Sequence, residues 1–404
     1  MKKYLLALSA AAALLAPQMV GAEGFAVYEW SAEGMAMGGA RMFAEDDAAN
    51  LAYNPASITK VKGKAFKVSA SYLSPHGEYD LKTVTGALES GHNRIHPAWV
   101  PGMYYVRQMN DKDWLGVATY TRFGLVSQFE RNSIAGTNAF SSKLNGLSLA
   151  ANYAHKFDKK WSAAVGAEVN YVGLQLDKNQ YGLMPLHIEG DSYALGWNAA
   201  ANYTFDDKNE AGVVYRSAIN HSMEADLDVH LKGYGLYGDA YGKVTLPESL
   251  TLGYSHKFND KTRIELNGIW TRWSRYQNLD MTFSGLGNPL LDGTHPNYKG
   301  WDDGWRYAIG LEHKFSDKYT GLLGYAYDGS CIPYDGGDFM IPTGNRTTYS
   351  IGVQYHDDKQ TLAVSLGWMN VGSLDFKDGK ELVDTVHTRD SYTKIASISY
   401  QRKF

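Results

Sequence analysis

Six short polar turns divide this chain and leave few folds open to it. They are Asn110-Asp111-Lys112, Asp158-Lys159-Lys160, Asp206-Asp207-Lys208, Asn259-Asp260-Lys261, Ser316-Asp317-Lys318 and Asp357-Asp358-Lys359, spaced roughly 40 to 57 residues apart. Four follow a phenylalanine (Phe157, Phe205, Phe258, Phe315), and alternating residues flank each, the pattern of a tight turn joining antiparallel strands. Between consecutive turns there is room for two strands and a longer Gly-rich, polar connection, the asymmetry of short periplasmic turns and long outer loops. Six turns separate seven such loops. With both chain ends on the periplasmic side, seven outward hairpins make 14 strands, an even number that closes a sheet without an edge exposed to lipid. The expected fold is all-β, a 14-stranded antiparallel transmembrane β-barrel.

The longest apolar stretch, Tyr4 to Ala16, has 13 residues, short of the roughly 20 that a membrane helix needs. Lys2 and Lys3 precede it and Val20-Gly21-Ala22 follows, so residues 1–22 read as an export signal, with the mature chain starting near Glu23. Taking Lys2 and Lys3 from 39 basic residues, against 43 acidic ones, leaves a formal charge of -6, which disfavours nucleic acid or an anionic surface as partner. The lone cysteine, Cys331, has no intramolecular disulfide partner and reads as a loop residue. The 42 glycines, 29 tyrosines and 11 prolines suit strands with one face in lipid and one in water, although composition alone also allows a soluble β-protein.

Alternation assigns the faces. Leu362, Val364, Leu366 and Trp368 alternate with Ala363, Ser365 and Gly367, and Leu147, Leu149, Ala151 and Tyr153 with Ser148, Ala150 and Asn152; the bulky sets belong to lipid. Tyr349 and Tyr355 end the run through Ile351 and Val353 as an interfacial girdle requires. The same alternation turns Glu168, Asn170, Arg216, Glu265 and Asn267 inward, because a charge at the lipid midplane costs roughly 2 to 4 kcal/mol. The chain ends with Ile398, Tyr400 and Phe404 on one face, resembling the closing strand of outer-membrane proteins, with Arg402 placed to snorkel.

Residues 24–59 do not alternate. They run Gly24-Phe25, then Ser31 to Ala40, then Glu45-Asp46-Asp47-Ala48-Ala49-Asn50, then Asn54-Pro55-Ala56-Ser57-Ile58. In Asn54-Pro55-Ala56 the proline biases Asn54 away from helix and favours a turn. This order resembles the N-terminal hatch of the FadL-type family of long-chain fatty acid transporters. The resemblance continues through Phe123-Gly124-Leu125, Leu246-Pro247-Glu248-Ser249-Leu250 and Gly324-Tyr325-Ala326-Tyr327-Asp328. It implies a signal peptide (1–22), a hatch (23–62) with Gly24, Phe25, Asp46, Asp47, Asn54, Pro55 and Ala56, and a barrel (63–404). It further implies capture of a long-chain fatty acid or other hydrophobic molecule by outer loops, an internal pocket, and lateral release into outer-membrane lipid at a kinked third strand. Phe123 and Gly124 are the expected opening, since the regular run Trp114 to Tyr120 meets a glycine there. A monomer is expected.

Two connections concentrate apolar residues: Leu183, Met184 and Leu186 in one, Leu236 and Tyr237 in the next. Such residues in outer loops suit an apolar groove for an acyl chain, or they close the barrel mouth. Arg107, Arg122 and Arg216 are candidates for a carboxylate, and each equally suits anchoring the hatch. No enzyme, cofactor or metal is expected. His155, His256 and His313 recur as His-Lys-Phe before turns and look interfacial, whereas the remaining outer histidines lack metal-ligand spacing. Aromatic hydrocarbons as cargo, or a structural or adhesive barrel, are the alternatives.

Overall fold

The computed structural model describes residues 24–180, 182–231, 234–378 and 382–404; the export signal lies outside them. The chain forms one closed antiparallel barrel of 14 strands. The first six are β1 (Lys64–Thr83), β2 (Ala98–Gln108), β3 (Asp113–Tyr120, resumed by Gly124–Gln128), β4 (Ser141–Lys156), β5 (Trp161–Gln180) and β6 (Met184–Thr204). Three interrupted strands follow: β7 (Asn209–Arg216 and Ile219–Leu231), β8 (Tyr234–Leu246 and Ser249–Lys257) and β9 (Thr262–Thr271 and Met281–Ser284). The circuit is completed by β10 (Gly304–Lys314), β11 (Tyr319–Asp328), β12 (Arg346–His356), β13 (Gln360–Val371) and β14 (Val383–Lys403). β14 pairs with β1 from Ala65 opposite Lys403 to Thr83 opposite Val383, so neither end of the sheet is left open to lipid.

Each short turn is tied by its first side chain. Asn110, Asp158, Asp206, Asn259 and Asp357 accept, through one side-chain oxygen, the amides two and three residues on, and Ser316 Oγ does the same. This satisfies donors that the ladder leaves over at a two-strand bend. The amides of Trp161 and Lys160 hold the Asp158 carboxyl below the usual carboxylate range. That turn's contribution is therefore complete above about pH 4 and fades as the pH falls through the lowered value. The turn histidines bridge neighbouring strands: His155 Nδ1 lies 2.7 Å from Asp113 Oδ1, His256 Nδ1 2.8 Å from Asn209 Oδ1 and His313 Nδ1 2.9 Å from Thr262 Oγ1.

The faces divide as alternation requires. Leu362, Val364, Leu366 and Trp368 are exposed, while Ala363 and Ser365 are buried, because the lumen is filled. Gly24 to Val61 run inside the ring of strands as a short helix α1 (Ala32–Ala36), a second, α2 (Asn50–Tyr53), and a 3-10 turn, Pro55–Lys60. Ser31 Oγ caps α1 by accepting from the Gly34 amide at 3.0 Å. Asn54 Oδ1 accepts from the Ala56 amide at 3.1 Å, and Pro55 supplies the first residue of the turn. Inner-wall glycines admit this segment at backbone distance: a Cβ on Gly310 would lie 2.7 Å from the Met37 methyl, and one on Gly352 2.6 Å from Ala36 Cβ.

Asn259→Ala should lose both turn bonds and destabilise the barrel by about 1 to 2 kcal/mol. Asn259→Asp, which keeps the acceptor, should stay near wild type; urea unfolding in lipid vesicles measures the difference.

Candidate functional site

The barrel holds three features: a polar contact zone around the N-terminal segment, a break in the wall, and a cavity of mixed apolar and polar lining at the outer mouth. In the first, acidic residues of the segment meet cations of the wall. Asp47 lies 2.8 Å from Lys67 Nζ, which also pairs with Glu33 at 2.9 Å. Asp46 pairs with Lys403 at 2.5 Å, and Arg41 with Glu312 at 2.8 Å and Asp47 at 3.4 Å. The five inward residues identified from alternation are all buried, but they do not pair with those acids. Glu265 accepts from the Met42 amide, Asn267 Nδ2 donates to Gly39 O at 3.3 Å, and Arg216 donates to Ala52 O and, at 2.8 Å, to Tyr120 Oη. Glu168 pairs with Arg122, and Asn170 links Ser148 at 2.8 Å to His221 at 3.0 Å. His221, one of the histidines read from sequence as outer, is instead buried in the lumen, because it lies within Ile219–Leu231, the second part of strand β7. Arg107 is exposed beside the first short turn and faces away from the lumen.

The wall breaks in β3. Residues 121–123 leave the ladder; the resumed segment Gly124–Gln128 pairs with β4 alone, and β2 pairs with β3 only from Met103 to Gln108. Across the break β2 carries Pro101, which has no amide to donate. The N-terminal segment occupies the vacated edge. The Val27 amide donates to Arg122 O at 2.9 Å, the Gly124 amide donates to Phe25 O at 2.9 Å, and Ala26 stands opposite Phe123. Phe25 enters an aromatic cluster with ring centroids 4.7 Å from Trp273, 5.7 Å from Tyr276 and 6.0 Å from Phe123. Gly24 is in the left-handed region at φ 61°, and a Cβ there would lie 2.5 Å from the Trp273 ring, so only glycine lets Phe25 seat this way. A cavity of about 40 Å³ beside the break is lined by Tyr28, Met42, Arg122, Phe123, Arg216 and Thr271.

At the outer mouth lies a cavity of about 480 Å³ between the extended strands and two loops. Met184 and Leu186 line it with Leu176, Ile188, Val229, Leu279, Met281 and Phe283. Leu236 is half-buried against the core, whereas Leu183 and Tyr237 are exposed and outside the cavity lining. The residues from 279 to 291, and Met340, were not singled out from sequence. Their signal, Leu and Met interrupted by Gly and Pro, has no period to mark it. Cys331 is a buried loop residue.

A closed barrel with a filled lumen, a wall break and an outer cavity has the architecture of an outer-membrane channel. The chain belongs to the family of outer membrane protein transport proteins (OMPP1/FadL/TodX), whose model matches residues 13–394. It is similar to the long-chain fatty acid transport protein of Escherichia coli, 27% identical over 93% of this chain and 92% of that one. In fold it is similar to a Pseudomonas aeruginosa FadL homologue, with a TM-score of 0.85 at 18% identity over 94% of this chain and all (100%) of that one. It also resembles a Ralstonia pickettii toluene transporter, with a TM-score of 0.70 at 19% identity over 94% and 100% of the two chains.

Phe25→Ala should cost the aromatic cluster about 3 to 5 kcal/mol and loosen the segment from the β3 edge. A rise in single-channel conductance of the purified protein in planar bilayers is the expected result.

Proposed function

We propose that this channel takes up long-chain fatty acids or similar hydrophobic molecules. They are captured in the outer cavity, passed inward beside the hatch, residues 23–62, and released sideways into the membrane at the β3 break as a monomer's own activity. The observation that carries this reading is the break itself, where a sheet otherwise closed is paired to its own N-terminal residues instead of to β2. An apolar ligand gains by entering lipid and loses by meeting periplasmic water, so a side exit suits such cargo and a through-pore does not. Unpaired backbone in hydrocarbon costs several kcal/mol per group, and the bonds from Val27 and to Phe25 supply that pairing while the exit is closed.

In this reading Phe123 and Gly124 border the exit, and Gly24, Phe25 and the Asn54-Pro55-Ala56 turn position the hatch. Met184 and Leu186 belong to the capture site with Met281 and Phe283. The similarity to a fatty acid transporter along nearly the whole chain favours fatty acids as cargo. The E. coli relative supports the substrate class and the cavity supports its apolar tail.

Ala26 and Phe123 form the pair flanked by two hydrogen bonds rather than joined by them, the geometry in which Cα atoms stand about 4.5 Å apart, within disulfide reach. Ala26→Cys with Phe123→Cys, in a Cys331→Ala background, should form a disulfide that stops uptake of labelled oleate by cells, with recovery on reduction. Uptake unchanged by the oxidised bond would remove this edge from the exit.

Each methylene kept from water contributes about 0.8 kcal/mol. Leu186→Asn with Met281→Asn should therefore weaken oleate binding to the purified protein by roughly tenfold or more, as equilibrium dialysis would register.

A further inference from the structure

The lipid-facing side of the barrel carries a groove. Across β10 to β13 a hollow of about 640 Å³ is walled by Leu323, Ile351, Val353 and Leu366 and roofed at its periplasmic end by His313 and Phe315. Gly321 lies beneath that roof, and a Cβ there would stand 2.5 Å from Phe315 Cε2. The same ring pair recurs before other short turns. His155 stands against Phe157 at 4.7 Å, Tyr203 against Phe205 at 4.8 Å, His256 against Phe258 at 4.8 Å and His313 against Phe315 at 5.1 Å. What differs is the residue across the ladder: Ala163, Ala211 and Ile264 stand opposite the first three, and Gly321 stands opposite His313. The last of these four ring pairs therefore has bare backbone beneath it.

Lipid tails are as apolar as leucine, so hydrophobicity gives an acyl chain no reason to prefer this groove to the bilayer. Contact does, because an unfilled groove forfeits dispersion along its walls and a chain laid in it restores that attraction. The head group of such a chain falls at the periplasmic roof. There His313 Nδ1 is 2.9 Å from Thr262 Oγ1, which leaves Nε2 for an ester or phosphate oxygen. The turns joining β8 to β9, β10 to β11 and β12 to β13 present Asp260-Lys261, Asp317-Lys318 and Asp358-Lys359, each one exposed acid beside one exposed base. Such a rim suits a head group that carries both charges, its phosphate towards lysine and its ammonium towards aspartate. A head group with negative charge alone meets as much repulsion as attraction. We propose that the β10 to β13 wall binds one zwitterionic diacyl phospholipid of the periplasmic-side leaflet, at a site apart from the cargo route. The wall is one backbone thick here, since Gly352 lines the groove and takes Ala36 of α1 on its other face, so the lipid braces the strands on which α1 rests.

Native mass spectrometry of the purified protein, released from membranes in mild detergent, should show one retained phosphatidylethanolamine. Titration with phosphatidylethanolamine and phosphatidylglycerol of matched chains should favour the first by about fivefold or more, the scale of a few exposed charge contacts. Gly321→Leu puts a side chain where the Phe315 ring rests, and Val353→Trp fills the groove from its wall; each should lower retention by about tenfold or more. Ala163→Leu, at the matching position of the first ring pair, should retain lipid as wild type does. Asp317→Asn with Lys318→Gln should reduce the preference between the two phospholipids to about twofold. Equal affinity of wild type for the two phospholipids would overturn the site, as would wild-type retention by both Gly321→Leu and Val353→Trp, or an equal loss in Ala163→Leu. Retention of a fatty acid in place of the phospholipid would also overturn it and assign the groove to cargo.

Discussion

A chain in hydrocarbon must bond every amide and carbonyl to itself, and the rest of this structure follows from that requirement. It forces closure of β14 onto β1, it confines charge to the lumen, and it makes any interruption of the wall conspicuous. The interruption in β3 is met in three ways at once. Gly124 and its neighbours bend away, Pro101 across the gap has no donor to strand, and Phe25 to Val27 supply the missing edge. A hole in the ladder is thereby kept from being a hole in the hydrogen bonding. The edge is provided by a segment that is not part of the sheet, so it can leave without unzipping any barrel strand.

The lumen is packed by different chemistry at its two ends. Around α1, α2 and the Asn54 turn the contacts are ion pairs and bonds from wall side chains to segment backbone, such as Glu265 to Met42 and Arg216 to Ala52. Water can stand in for such contacts, whereas it cannot for interlocked aliphatic side chains. Towards the outside the lining turns to Leu, Met and Phe. Met, with its unbranched and polarisable chain, suits cargo of varied shape. Between these two zones lies the aromatic cluster on Phe25, beside the edge that Phe25 to Val27 pair.

How much of this could be read from residues alone varied with the kind of signal. The strand number followed from the six Asx-type and serine turns, because each motif marks a physical event, a two-strand bend with surplus amides. The lipid and luminal faces of β4, β12 and β13 followed from a strict period of two. The identity of partners inside the lumen did not follow. Alternation shows that Glu265 and Arg216 point inward, but their bonds go to the backbone of Met42 and Ala52, which no side-chain pattern reveals. The same holds for Asp46 and Asp47, whose cations Lys403 and Lys67 lie at opposite ends of the chain. The glycines of the inner wall, Gly310 and Gly352 among them, carry the signal of a plug at close quarters, yet in a strand a glycine reads equally as a bulge or a weak spot. The outer cavity was half legible. Met184 and Leu186 were visible in their loop, but the opposite wall comes from aperiodic stretches around residues 279 to 291 and 338 to 340, whose apolar residues gain meaning only when the loops meet.

The position of α1 sets an order for making the molecule. This helix belongs to the part of the chain synthesised first, yet apart from the Glu33–Lys67 pair to β1 it packs mainly against β11, β12, β13 and β14, the last to appear. The ends joined in this way enclose nearly the entire sequence, the largest loop the chain can close and the slowest kind of contact to find. Once β14 has zipped to β1 the ring offers little passage for a folded insert as wide as itself. The leading segment must therefore wait, unpaired, until the trailing strands arrive, and be enclosed as the seam shuts. The plug is built into the cylinder during closure rather than fitted afterwards, and the final hairpin acts as the door of the mould.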